Sequence, residues 1–225
     1  MAVPHVLVLA AGKGGVGKSS LARSLAGHWL YIGQSPAVID ADPQASIASF
    51  HDAEGPMGMV PVIADPELES VRSTISELAE RHRPVIVDTA GFRNKTTIMA
   101  CVAADLVLIP LKAAAEDVRE AIAMFNLVSE LNATPERQSN PIRAAMVLTM
   151  TTPGTVIARH VRKELEDAGF PLLLAEVTQR VTYPELSMRG LAPSITDPEG
   201  AAARDIGRVA MELMNAGRMS HVQAA

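Results

Sequence analysis

The sequence predicts an α/β protein, a mainly parallel twisted sheet with helices on both faces, and three observations carry that expectation. Short apolar, β-branched runs alternate with longer amphipathic segments along the whole chain. A glycine-rich loop stands between the first such run and the first amphipathic segment. Acidic residues close two later runs, at the strand ends where an open parallel sheet places its ligands.

The first run is HVLVLA, His5 to Ala10, and the loop behind it reads GKGGVGKSS from Gly12 to Ser20. Gly12, Gly17, Lys18 and Ser19 meet the phosphate-loop pattern G-x-x-x-x-G-K-[ST]. Gly14 and Gly15 let the backbone curl, so that amides from Gly12 through Val16 to Ser20 can point at one phosphate. Lys18 is placed to reach the β- and γ-phosphates and Ser19 to put its hydroxyl on Mg²⁺. The helix that follows, with Leu21, Leu25, Ala26 and Trp29 on its apolar face, directs a positive N-terminus at the anion. ATP and Mg²⁺ are the expected cofactors.

PAVID, Pro36 to Asp40, is the next strand, and DADPQ carries Asp40 and Asp42 just past its end. Both also suit turn and helix-cap positions, since Asp-Pro readily starts a helix. Pro61 to Ala64 is a short strand candidate. Pro66 to His82 is an amphipathic helix with Leu68, Val71, Ile75 and Leu78 on one face. RPVIVD, Arg83 to Asp88, is a β-branched strand ending in an acid, and Asp88 is the expected holder of the Mg²⁺ hydration shell. In the DTAGF that continues from Asp88, Gly91 lets the backbone approach a γ-phosphate.

DLVLIP, Asp105 to Pro110, Ala115 to Leu131, and Ile142 to Thr149 read as strand, long helix and strand. Thr149, at the end of that last strand, is a candidate for contact with the nucleotide base. The helix Thr155 to Ala168 should turn Val156, Val161 and Leu165 inward, which leaves Arg159, Arg162 and Lys163 outward. That basic trio is either a solvated helix face or a phosphate-binding surface for DNA. Gly200 to Asn215 reads as a packed final helix.

Composition excludes several classes. A chain of 225 residues, 48% of them hydrophobic, buries one substantial core, so a single domain over residues 1–217 is expected, with 218–225 as a frayed tail. No apolar run approaches the roughly 18 residues of a membrane span, and no signal peptide is evident. The sole cysteine, Cys101, rules out an internal disulfide framework and leaves an iron-sulfur cluster without ligands. A net charge of −5 argues against a wholly basic nucleic-acid binder while leaving room for a local patch.

Lys13, an extra lysine directly after the first glycine, is not required by an ordinary phosphate loop. With it, KGGVGKS resembles the deviant Walker A motif of the ParA/MinD family of dimeric ATPases. The resemblance extends from Val6 to about Asn215 and is nearest to short ParA-type partition ATPases of the ParF kind, through DTAGF and through TQRVTYPELSMRG, Thr178 to Gly190. It departs from them at KAAAED, where those proteins carry a proline-containing segment. The resemblance implies a P-loop ATPase fold in which Lys13 crosses a homodimer interface to the partner's phosphates. By the same resemblance Asp42 positions or activates the attacking water and Asp40 supports Mg²⁺ through water. Arg180, Arg189, Arg204 and Arg208 are then candidates for DNA contact beside Arg159, Arg162 and Lys163.

The function so implied is an ATP-dependent dimerisation switch with weak hydrolysis, cytoplasmic and nucleoid-associated. It binds DNA non-specifically, positions a plasmid, chromosome region or protein cluster, and is stimulated by a ParB-like or adaptor protein. With no DNA-binding segment ahead of the loop, the short form is expected. The alternatives are a MinD-like, membrane-recruited positioning ATPase, for which RMSHVQAA is a weak anchor, and a P-loop metabolic enzyme. Stable membrane insertion is not expected.

Overall fold

The computed structural model describes residues 3–65, 67–91 and 94–215, so the predicted tail at 218–225 lies outside the described residues. Its centre is a sheet of seven parallel strands in the order β3-β2-β4-β1-β5-β6-β7. In chain order the elements are β1 (Val6–Ala11), α1 (Lys18–Tyr31), β2 (Ala37–Ala41), a 3-10 turn (Ala48–Phe50), β3 (Val62–Ala64), α2 (Val71–Ala79), β4 (Val85–Gly91), α3 (Lys95–Ala103) and β5 (Leu106–Leu111). They continue with α4 (Ala115–Asn132), β6 (Arg143–Thr151), α5 (Val156–Asp167), β7 (Leu172–Thr178), α6 (Thr182–Ser187), α7 (Pro193–Thr196) and α8 (Ala201–Asn215). The fold is the predicted one, helices on both faces of a parallel sheet.

Strand alternation builds two cores. Val6, Val8 and Ala10 of β1 face a layer completed by α2 to α5, while Leu7 and Leu9 face one completed by α1 and α8. All four residues predicted for the α1 core face, Leu21, Leu25, Ala26 and Trp29, are buried there. Cys101 is fully buried in the other layer, and burial pushes its thiol up to about 12, so it packs as a small apolar group.

Three local expectations are corrected. The helix expected from Pro66 begins at Val71, because Asp65, Ser70 and Thr74 form a hydrogen-bonded turn that organises the entry first. Val156 is 73% exposed rather than inward, since it opens α5 and only Ala158, Val161 and Leu165 reach the sheet. Leu172–Thr178 is an edge strand that the sequence reading does not assign.

Candidate functional site

The site lies at the C-terminal ends of the adjacent strands β2, β4 and β1. Residues 12–17 form the turn from β1 into α1. Gly17 takes φ 87° as the N-cap of α1, a left-handed conformation suited to glycine, and no side chain caps the helix. The first amides of α1 are therefore left for an anion. Gly12 answers a different demand: a Cβ there would overlap the Glu120 side chain, so α4 can approach the loop only over a glycine.

The two lysines of the loop part company. Lys18 is buried, whereas Lys13 is exposed with Nζ 2.8 Å from Glu116 Oε2 at the start of α4. Gly14 and Gly15 are exposed, Val16 is buried, and Ser19 and Ser20 are half-buried on the first turn of α1.

Asp88 and Asp40 are register partners on neighbouring strands, and Asp88 also pairs with Leu9 of β1. Both acids are fully buried. Asp40 is held: Oδ2 accepts Ile47 N at 2.7 Å and Ala48 N at 2.9 Å, which folds the 42–48 segment over the strand end. Asp42 is half-exposed above it and accepts Gln44 N at 2.9 Å. Asp88, by contrast, accepts no backbone amide at either carboxylate oxygen among the described residues, and the hydrogen-bonding group that acts on it is the Ser19 hydroxyl.

Burial pushes the Asp88 carboxyl up to about 7; the nearby Ser19 hydroxyl and Lys18 ammonium pull it down, and the Asp40 and Asp42 charges push it up again. A hydrated divalent cation fits here, because the buried Asp88 carboxylate and the half-buried Ser19 hydroxyl, with Asp40 one strand away, are the oxygen donors that Mg²⁺ prefers.

Arg23 of α1 completes this centre, and the sequence reading misses it. Its guanidinium is buried, donates to Ser46 O at 2.9 Å and lies in the field of both Asp88 and Asp40, while desolvation lowers its pKa. The signal is present in the sequence: an arginine four residues after Ser19, on the apolar side of α1.

Beside the loop opens a cleft of about 230 Å³, walled by Val16, Leu21, Thr149, Met150, Val177 and Tyr183. Its apolar walls and size suit a flat heterocycle. Thr149 faces it, but its hydroxyl donates to Val16 O at 2.8 Å and Leu111 O at 3.2 Å, so it also braces the loop. Met150, which sequence alone does not single out, sits over Gly17 with φ 52°, a strained backbone at the rim of the cleft.

The basic residues expected to meet DNA do not form one patch. Arg162 is turned inward with a side chain only 19% exposed, and it donates to Leu173 O, Leu174 O and Glu176. Lys163 pairs with Asp167 on the surface. Arg204 donates to Glu199 O, and Arg208 pairs with Asp205 at 2.6 Å. Among the described residues Arg159 and Arg189 are exposed and make no ion pair.

Known proteins resemble this chain over most of its length. The family model for the CobQ/CobB/MinD/ParA nucleotide binding domain matches residues 7–193. Protein ParA of Rhizobium radiobacter is 28% identical over 189 residues, covering 82% of this chain and 83% of the relative. The maintenance of carboxysome distribution protein A of Halothiobacillus neapolitanus is 25% identical over 198 residues, covering 86% and 88%. Among solved structures, an ATP complex of a Cyanothece McdA variant superposes with a TM-score of 0.72 at 16% identity over 100% of both chains. No described helix is long and apolar enough to cross a membrane. A phosphate loop at the head of α1, paired acids at the ends of β2 and β4, and a family model spanning most of the chain place it in the ParA/MinD family of nucleotide-binding ATPases.

Proposed function

We propose that the chain, acting as one P-loop ATPase domain through residue 217, is an ATP-dependent dimerisation switch that binds DNA non-specifically and positions or segregates a plasmid, chromosome region or protein cluster. The observation that carries this reading is the separation of the two loop lysines, Lys18 buried at the head of α1 and Lys13 exposed beside Glu116. A cation held outside its own cradle is available to a second subunit, and charge stabilisation then depends on dimerisation.

In this reading the amides of residues 12–20 and Lys18 hold the triphosphate, and the cleft beside Thr149 takes the base. Ser19 and Asp88 hold the hydrated Mg²⁺, with Asp40 behind them. Mg²⁺ bound there would supply charge neutralisation for the triphosphate. Asp42, half-exposed above the acids, orients the attacking water, and Lys13 of the partner stabilises the charge that develops on the γ-phosphoryl group. In the joined dimer Arg159, Lys163, Arg189, Arg204 and Arg208 of the two copies are the cations that neutralise DNA phosphates. A ParB-like or adaptor protein stimulates hydrolysis and release, and the dimer cycles on the nucleoid in the cytoplasm. The relatives named protein ParA and maintenance of carboxysome distribution protein A support the positioning role.

Retention of DNA fragments with ATP, ADP or no nucleotide, at two salt concentrations, tests the reading. ATP-dependent and salt-sensitive retention is expected. ATP-dependent dimers that ignore DNA but sediment with anionic vesicles would transfer the chain to the membrane-recruited class.

A further inference from the structure

Asp205 stands outside every residue assigned above, and it is only 2% exposed on the inner face of α8. Its Oδ2 accepts both Nε of Arg180 at 3.2 Å and Nη2 of Arg180 at 3.1 Å, and the Thr178 amide lies 3.4 Å from the same oxygen. Its Oδ1 accepts Arg208 Nη2 at 2.6 Å. Two guanidinium groups and one amide therefore converge on a single buried carboxylate. Thr178, Gln179 and Arg180 are also a wall of the cleft beside the loop, and Gln179 N is pinned to Thr151 O at 2.9 Å. A second tie runs in parallel, because the Tyr183 hydroxyl, from the same cleft, donates to Ala202 O at the start of α8.

We propose that Asp205 is the positioning residue of the nucleobase cleft: it holds the Thr178–Arg180 wall at the depth that discriminates one base from another. The proposal rests on the reading that a nucleotide base occupies this cleft. The physical ground is that the wall follows β7, an edge strand, and continues into the short helix α6. Such a segment has little of its own to fix it against the loop. A buried carboxylate accepting a forked guanidinium supplies a directional anchor, and removing its charge leaves two cations facing a neutral amide. A polar wall that is displaced leaves the hydrogen-bonding edge of a base unpaired, which is where base discrimination resides.

Arg208 on the other oxygen gives the anchor a further property. The same carboxylate that holds the cleft wall also restrains a residue on the exposed side of α8, so a change at Arg208 reaches the cleft wall through Asp205.

The test compares binding of ATP, ADP, GTP and inorganic tripolyphosphate to wild type, Asp205→Asn, Asp205→Glu and Arg180→Lys, with folding checked by circular dichroism. In Asp205→Asn the dissociation constants for ATP and ADP should rise by one common factor of roughly ten, the loss of a charged hydrogen bond. The ATP-over-GTP preference should narrow, and tripolyphosphate affinity should stay put, because the loop alone holds it. Arg180→Lys, which keeps the charge but loses the fork, should show the same base-dependent loss, and Asp205→Glu should recover part of it. Unchanged ATP and ADP affinity in folded Asp205→Asn overturns the proposal, as does an equal loss for tripolyphosphate. If Asp205→Asn does not fold, Arg180→Lys decides by the same criteria. Wild type that binds tripolyphosphate as well as ATP, with no preference among bases, would instead remove the underlying assignment of the cleft.

Discussion

Lys13 Nζ lies 2.8 Å from Glu116 Oε2, a contact between the phosphate loop and the first turn of α4. The Glu116 interaction raises the Lys13 pKa and lowers that of Glu116, so the pair is charged at any working pH. In the proposed dimer this lysine leaves Glu116 for the partner's phosphates. Glu116→Gln should therefore strengthen ATP-dependent dimerisation several-fold while leaving the melting temperature unchanged, since both groups are exposed. Sedimentation velocity over a protein dilution series reads the first effect and calorimetry the second.

The roles proposed for Asp42 and Asp88 separate hydrolysis from binding. Asp42→Ala should preserve ATP-driven dimers and stop phosphate release, because Asp42 is half-exposed and the backbone contact of its side chain, from Gln44 N, is local. Asp88→Asn removes a buried carboxylate that desolvation disfavours more than Ser19 and Lys18 support it, so above about pH 7 the nucleotide-free protein should melt higher, while the Mg²⁺-dependent part of nucleotide affinity disappears. Normal turnover in Asp42→Ala would take that residue out of the reaction. A fall in melting temperature for Asp88→Asn would show that the carboxylate is compensated after all.

Arg162 and Arg189 should differ in kind. Arg162 joins α5 to the backbone of β7 at Leu173 and Leu174 and to Glu176, and Glu212 of α8 accepts the amides of Leu174 and Ala175 from the other direction. Arg162→Ala should cost about 2 kcal/mol of stability, as expected for losing charged hydrogen bonds to partly buried carbonyls. Arg189→Glu should leave stability and nucleotide affinity alone and weaken DNA retention, with a shallower salt dependence. Denaturation followed by the fluorescence of Trp29, the chain's single tryptophan and fully buried, measures the former. DNA affinity of Arg189→Glu equal to wild type across a salt series would remove it from the interface.

His28 supplies a pH signature. It is half-buried on α1, its Nδ1 is 3.0 Å from Ser194 Oγ, Gly207 backs it and the Tyr31 ring is 6.5 Å away. Burial lowers its pKa below the ordinary 6.5, so in the window between the folded value and 6.5 the unfolded chain binds more protons than the folded one. Stability should rise with pH through that window and level off above it. His28→Gln should flatten this slope in urea denaturation curves taken between about pH 5 and pH 7.5, with the upper end as the reference; an unaltered slope would assign it to other groups.

Much of the fold is legible in the sequence because its signals are local. The loop glycines, the β-branched runs ending at Asp40 and Asp88, and the apolar stripe from Leu21 to Trp29 each follow from residue type and spacing. What escapes is set by tertiary context. Leu172–Thr178 carries an apolar run, yet a bulge gripped by Arg162 and Glu212 breaks its alternation, and its Leu174 is 79% exposed on the sheet edge. Arg162 reads as a surface cation since helical spacing cannot reveal that β7 lies beneath it. Arg23 and Asp205 are charged residues on apolar faces, and only the neighbours brought by the fold give them partners.

The central claim is that Lys13 acts in a second subunit, and light scattering with Mg²⁺ and ATP tests it most directly on wild type and Lys13→Gln. Nucleotide affinity of the monomers is measured in parallel. The account predicts that wild type becomes a dimer with ATP and stays monomeric with ADP, while Lys13→Gln binds ATP and remains a monomer. A Lys13→Gln protein that dimerises with ATP as readily as wild type would contradict it.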